Sequence, residues 1–125
     1  MEGLKGMIKS IKDIALLASE AAESKKANDV QILDVKELTI IADYFLICSG
    51  NSEVQVKAIA RAIENKLAEE DILARKVAGK EEARWILLDY ADIIIHVFRQ
   101  NERDYYEIER LWADAKEILA DGRSN

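Results

Sequence analysis

The chain has no proline, one cysteine and one histidine among its 125 residues. One cysteine excludes an internal disulfide and suits a reducing compartment. Cys48 and His96 together cannot build a structural zinc site without carboxylates. Neither has a partner nearby in sequence for a nucleophile–base pair. Cys48 closes an apolar run, the setting of a buried, inert thiol. Long apolar runs are missing too, since none approaches the ~20 residues that cross a bilayer. The first twenty residues, MEGLKGMIKSIKDIALLASE, show no uninterrupted apolar stretch and no clear cleavage site, so a cytoplasmic protein is expected. No glycine-rich phosphate cradle is present; Ser49-Gly50-Asn51-Ser52 is a thin version of one. A basic excess is also lacking. Lys and Arg number 18 against 24 Asp and Glu, a net charge of −6. Phosphate backbones are gripped by clustered cations, so direct nucleic-acid recognition is not expected. A basic protein partner is the better electrostatic match, and solubility alone is the plainer reading of the charge.

What remains is ordinary for one globular domain: 50% apolar and 34% charged residues, without linker, repeat or low-complexity segment. Apolar residues at three- and four-residue steps predict a helix over 4–27. Residues 30–35 and 44–48 read as strands, with 36–42 a turn or loop between them. Ser52-Glu53-Val54-Gln55 fits a capping box, and the stripe Val56, Ile59, Ala60, Ile63, Leu67 carries that helix to about 68–70. Residues 72–77, 84–89 and 93–98 read as three more strands. Asn101 is placed to cap a last helix over 102–120, with Gly122 as its C-cap. Interleaved strands and helices in a chain of this length predict an α/β (α+β) fold, a mixed sheet of about five strands with helices packed on it.

The stretch 85–98, WILLDYADIIIHVF, draws attention. Both strands lack in/out alternation, so both faces want cover. Two acids close the turn between them, and the only histidine follows. Three readings stand. Asp34, Asp43, Asp89 and Asp92 all fall at strand ends or turns, where converging carboxylates can hold Mg²⁺ for nucleotidyl transfer. Alternatively Trp85 and Tyr90 form an exposed apolar patch beside the Asp89–Asp92 turn, rimmed with acid, of the kind that marks a partner site. Core packing of Trp85, with His96 a satisfied sheet histidine, is the third.

Three segments carry a family resemblance: Thr39-Ile40-Ile41-Ala42-Asp43-Tyr44-Phe45 running on to Cys48-Ser49-Gly50-Asn51-Ser52; Leu87-Leu88-Asp89-Tyr90-Ala91-Asp92 with Ile93-Ile94-Ile95-His96-Val97-Phe98; and Tyr105-Tyr106-Glu107-Ile108-Glu109-Arg110-Leu111-Trp112-Ala113-Asp114-Ala115. Together they resemble the ribosome silencing factor, or Iojap-like, family over about residues 8–119. The resemblance implies one domain over residues 1–125, a nucleotidyltransferase-like sheet without the catalytic pattern, and no catalytic, metal or cofactor site. It implies a translational repressor that binds the large ribosomal subunit through the fourteenth large-subunit ribosomal protein, on the intersubunit face. The bound factor would block joining of the small subunit when nutrients are scarce. It would place the partner-facing region on Trp85, Leu88, Asp89, Tyr90, Asp92 and His96, with Trp85 as apolar anchor and the acids pairing with basic groups. Self-association of the free protein through the same patch is a further reading. Two departures stand out: Ala91 replaces the usual turn glycine, and Glu53-Val54-Gln55 follows Ser52 where the family often has a basic–polar pair.

Overall fold

A short apolar strand of the sequence becomes the middle of the sheet. In the computed structural model, which describes residues 10–119 and 122–123, all seven residues of the strand Tyr44–Gly50 are buried. The elements in chain order are α1 (Ile11–Ser24), β1 (Asn28–Asp34), β2 (Tyr44–Gly50), α2 (Glu53–Ala68), β3 (Lys76–Ala78), β4 (Trp85–Asp89), β5 (Ile93–Arg99), α3 (Gln100–Tyr106), α4 (Ile108–Leu111) and β6 (Lys116–Ile118). They make one mixed sheet of six strands, in the order β3-β4-β5-β2-β1-β6. Only β2 and β5 run parallel; every other neighbouring pair is antiparallel. A parallel pair needs a long crossover, and α2 with the β3–β4 hairpin supplies it.

Alternation along the strands sorts side chains onto two faces. Leu46, Cys48, Ile86, Leu88, Ile95 and Val97 face α1 and α2 and are fully buried with them. Ala15, Ala18 and Ala22 line α1 with minimal bulk, which lets the two helices lie side by side over the sheet. The opposite face carries Leu33, Phe45, Ile47, Ile94 and Phe98. Its cover is thinner, consisting of the seven-residue α3, the four-residue α4 and the segment that follows.

Of the helix starts, that of α2 at Ser52 follows the expectation, whereas α1 is capped by Ser10, which the sequence pattern did not single out. Ser10 caps α1, accepting from the Asp13 N–H at 3.2 Å, and Ser52 caps α2, accepting from the Gln55 N–H at 3.1 Å. The Gln55 side chain reaches back one residue further than a capping box requires and accepts from the Asn51 N–H at 2.7 Å. Its amide then donates to the carbonyls of Lys25 and Lys26, tying the end of α1 to the start of α2. The described helix α1 begins at Ile11; residues 4–9 of the expected helix lie outside the described residues. The third expected strand, 72–77, is real only over Lys76–Ala78.

The C-terminal expectation fails most clearly. No helix spans 102–120. The first piece is capped by Arg99 without a side-chain hydrogen bond, not by Asn101. It stops at Glu107, whose φ of 46° and ψ of 47° are left-handed, a conformation no helix interior accepts. After α4 the chain becomes β6 and adds a sixth strand beside β1. Gly122 ends no helix; at φ 88° it turns the chain after β6, donating to the Leu119 carbonyl at 2.8 Å. The physical reason is a buried cation. Arg103 is 4% exposed, and its guanidinium donates to Glu109 at 3.0 Å, the Ser49 hydroxyl at 3.1 Å and the Asn28 carbonyl at 3.0 Å. A continuous helix would carry Glu109 two residues beyond the i+4 position that a straight helix offers Arg103. The break brings it back.

Candidate functional site

Strand parity divides the expected site residues. Trp85 and Leu87 lie on the thinly covered face, each half-buried and packed against its apolar cluster. Leu88 points the other way and is 0% exposed among the helix-side residues. It cannot touch a partner on the Trp85 face; that is a correction of the expectation, and Leu87 is the residue in position. Tyr90 also belongs to the helix side, packed against that cluster. Burial, followed by the nearby Glu64 carboxylate, pushes its phenol up to about 12. Trp85 and Tyr90 therefore do not make one patch. Nor does Trp85 sit beside the acidic turn, because it opens β4 while the turn follows its end, about 13 Å away at ~3.3 Å per residue.

Around Trp85 the rings form a connected layer. Its indole centroid lies 4.7 Å from Phe98, 5.1 Å from Tyr106 and 5.9 Å from His96. Phe45 meets His96 edge-on at 5.5 Å and Trp112 edge-on at 5.0 Å. The Trp85 Nε1–H donates to His96 Nδ1 at 3.1 Å. An indole N–H can only donate, so Nδ1 is the acceptor and the neutral ring carries its proton on Nε2. Tyr106 and Tyr105, edge-on to each other at 5.0 Å, extend the layer outward, at 50% and 80% exposure. Leu87, Tyr106 and Trp112 were missed from sequence. The two-residue step from Trp85 would have found Leu87; Tyr106 reaches the face from the end of α3, and Trp112 from beyond the break at Glu107.

Burial lowers the His96 pKa to about 4 from an ordinary value of about 6.5. The unfolded chain thus takes up a proton that the folded one refuses. The stability His96 contributes is whole above about pH 6.5 and is lost progressively as pH falls through about 4, a loss of roughly 3 kcal/mol. Urea titrations between pH 7.5 and 4 should show this decline, and His96→Asn should flatten it. Equal pH dependence in both proteins would refute it.

The turn acids have different tasks. Asp89 accepts from the Ala91 N–H at 2.8 Å and pairs with Arg75 at 3.1 Å, so its charge is largely used inside the molecule. Asp92 is exposed, and its backbone carbonyl accepts from the N–H groups of Asp43 and Tyr44 at 2.9 and 3.1 Å. Between them Ala91 has φ 69°. The turn does require positive φ, which costs a non-glycine residue about 1–2 kcal/mol. Ala91→Gly should therefore raise stability by about 1 kcal/mol after the entropy penalty of glycine is subtracted, measured as a higher urea midpoint at unchanged slope.

The nucleotidyltransferase reading needs converging carboxylates. Asp34, Asp43, Asp89 and Asp92 do gather at one end of the sheet. Yet β1 and β4 are three strand spacings apart in the sheet order, placing Asp34 about 14 Å from Asp89. Among the described residues no three His, Cys, Asp or Glu side chains come together to hold a metal ion. Cys48 is fully buried, and burial pushes its thiol up to about 12.

The comparisons with known proteins point one way. The family described as ribosomal silencing factor during starvation matches residues 8–125. The chain is 47% identical over 104 residues to ribosomal silencing factor RsfS of Bacillus subtilis, covering 83% of this chain and 88% of that one. It is 27% identical over 104 residues to the chloroplastic protein Iojap of Zea mays, covering 83% of this chain and 45% of that longer one. Among solved structures, a Chromobacterium violaceum protein superposes with a TM-score of 0.82 at 37% identity, over 84% of this chain and 88% of that one. A Bacillus halodurans protein gives a TM-score of 0.73 at 43% identity, over 80% and 93%.

Proposed function

We propose, from the premise that this chain belongs to the ribosomal silencing factor family, that it silences translation by occupying the intersubunit side of the large ribosomal subunit. Membership makes it a regulatory factor associated with the large subunit, not an enzyme. The finer reading is that the fourteenth large-subunit ribosomal protein is the direct partner, and that the bound factor keeps the small subunit from joining under starvation.

The observation that carries the docking surface is the half-buried Trp85 in a layer of rings on the thinly covered sheet face. Partly exposed aromatics held rigid by neighbours are what interface centres are made of. Trp85, Leu87 and Tyr106 would supply the apolar centre, with the rim of His96 beside them. Asp92, exposed at the far end of the hairpin, is the acid left to meet a basic side chain of the partner. Asp89, engaged by Arg75, holds the turn in shape. No helix among the described residues is long and apolar enough to cross a membrane, and a cytoplasmic site of action fits the bacterial relatives.

Purified protein should co-sediment with isolated large subunits and lower the yield of whole ribosomes when small subunits are added. Absence of the protein from the large-subunit pellet would sink the reading. Self-association of the free protein through the same ring layer would appear as a dimer in sedimentation equilibrium that dissociates when large subunits are added.

A further inference from the structure

At the end of the sheet away from Trp85, the loop between β1 and β2 lifts three apolar side chains into solvent. Ile40 is fully exposed, and Ile41 and Leu38 are 57% and 46% exposed. Single exposed apolar residues are ordinary, but three within four positions of one loop make a patch. The loop is not slack. The Val35 carbonyl accepts from the Leu38 and Thr39 N–H groups at 3.0 and 3.1 Å, and the Ile41 N–H donates to the Thr39 hydroxyl at 3.2 Å. At the base, the Val35 N–H donates to the Asp43 carbonyl at 2.9 Å. Val35 and Ala42 are buried in the same cluster as Phe45 and Ile94, on the thinly covered face. The Asp92 carbonyl, accepting from Asp43 and Tyr44, fastens the loop to the β4–β5 turn. Apolar side chains held outward on a braced backbone lose little freedom when a partner covers them.

Charge decides what can cover them. Glu37 and Asp92 are exposed and Asp43 is half-buried. None of the three has an ion pair to any described residue. Lys36, the one cation of the loop, is already paired with Asp34 at 3.5 Å. An RNA backbone and the cytoplasmic face of a membrane are both anionic, and these acids would repel them. A second copy, with a net charge of −6, would bring more acid than base. The complement is a basic protein surface with an apolar hollow.

The spacing suits a single partner. Trp85 pairs with Phe98, and Tyr44 with Ile93. Along β5 the ring layer and the root of the loop are therefore five residues, about 16 Å, apart. Leu87 and Ile94 lie on the same face between them. An interface of ordinary size, about 800 Å² on each partner, spans that distance. We propose that Ile40 and Ile41, rimmed by Glu37, Asp43 and Asp92, are a second anchor for the basic large-subunit protein that covers the ring layer, an inference that rests on the docking face proposed above.

The test compares affinities for isolated large subunits by co-sedimentation over a concentration series. Ile40→Ser/Ile41→Ser should bind at least tenfold more weakly, with an unchanged thermal melt because both positions are exposed. Val54→Ser, at another exposed apolar position on α2, should bind like the unaltered chain. Glu37→Gln/Asp92→Asn should weaken binding at low salt, and the difference should shrink as salt rises. A photo-crosslinker at position 40 should join a large-subunit ribosomal protein. Full affinity of Ile40→Ser/Ile41→Ser beside a loss in Trp85→Ala overturns the second anchor and leaves the docking face standing. No binding by the unaltered chain overturns both. Equal losses in Val54→Ser and the double variant overturn the anchor as well, since the loop would then hold no special place. Crosslinks to ribosomal RNA alone, or phosphatidylglycerol vesicles that pellet the unaltered chain and not the double variant, overturn the protein partner.

Discussion

Trp85→Ala should lower affinity for the large subunit about thirtyfold or more, the ~2 kcal/mol expected of an aromatic at an interface centre. The same change should cost stability, but less than the about 3–5 kcal/mol of a fully buried Trp, because the indole is only half-buried. About 2 kcal/mol is expected, from lost contact with Phe98 and Tyr106 and from the unsatisfied Nδ1 of His96. A domain of ordinary stability, about 5–15 kcal/mol, stays folded after that loss. Trp85→Phe separates the two effects. It keeps a ring in the layer while removing the N–H, so it should retain most stability and lose less binding. Full-strength co-sedimentation of a folded Trp85→Ala protein would refute the docking face. Outright unfolding would show that Trp85 is core and that binding must be read from Leu87→Asp or Tyr106→Ala instead.

Arg103→Met should be the most destabilising single change away from the apolar core. Arg103 is the only cation among the described residues that is fully buried. It meets Glu109, Asp29, Ser49 and the Asn28 carbonyl at once. Removing Arg103 leaves the partly buried Glu109 carboxylate and the buried Ser49 hydroxyl without their donor, at a cost of about 2–3 kcal/mol. Glu109 makes the loss worse, because its second carboxylate oxygen is buried with no hydrogen-bond partner among the described residues. The loss should be visible as a lower urea midpoint. Amide exchange should quicken first in α4 and β6, the elements that depend on the break at Glu107. A destabilisation under about 1 kcal/mol would refute the role assigned to Arg103. The double change Arg103→Met/Glu109→Leu should recover part of the loss, since apolar replacement of a whole buried pair is often neutral.

Much of the fold follows from local pattern. The stripe from Val56 to Leu67 is the buried face of α2. The doubly apolar strands β2 and β5 are the two central, parallel ones, since strands covered on both faces can dispense with alternation; β4 dispenses with it too, but its burial alternates and one face is only half-covered. Cys48 is a buried thiol at the end of an apolar run. The site was less legible. The apolar strands and turn acids of 85–98 single out β4 and its turn, but apolar residues in an unalternating strand do not reveal which way each one points. Leu88 and Trp85 look equally exposable in sequence, and the pleat sends them to opposite faces. Similarly, Tyr105, Ile108, Leu111, Trp112, Ala115, Ile118 and Leu119 repeat like one helical face. Tertiary contacts overrode that pattern: Arg103 meets Asn28, Asp29 and Ser49 on the sheet, and the break at Glu107 lets Glu109 join them.

By itself the sequence determined that this is a mixed α/β domain held together without disulfides, and its motifs identified the family. These depend on periodicity and residue order, which are local properties of the chain. Only the tertiary structure decided that Trp85 stands with Leu87, His96, Phe98 and Tyr106, while Leu88 and Tyr90 serve the helix-side core. It also decided that Asp89 is engaged within its own turn and that the C-terminus adds a sixth strand. Each of these depends on strand pairing and on where a buried charge finds its partner, and both join residues far apart in the chain.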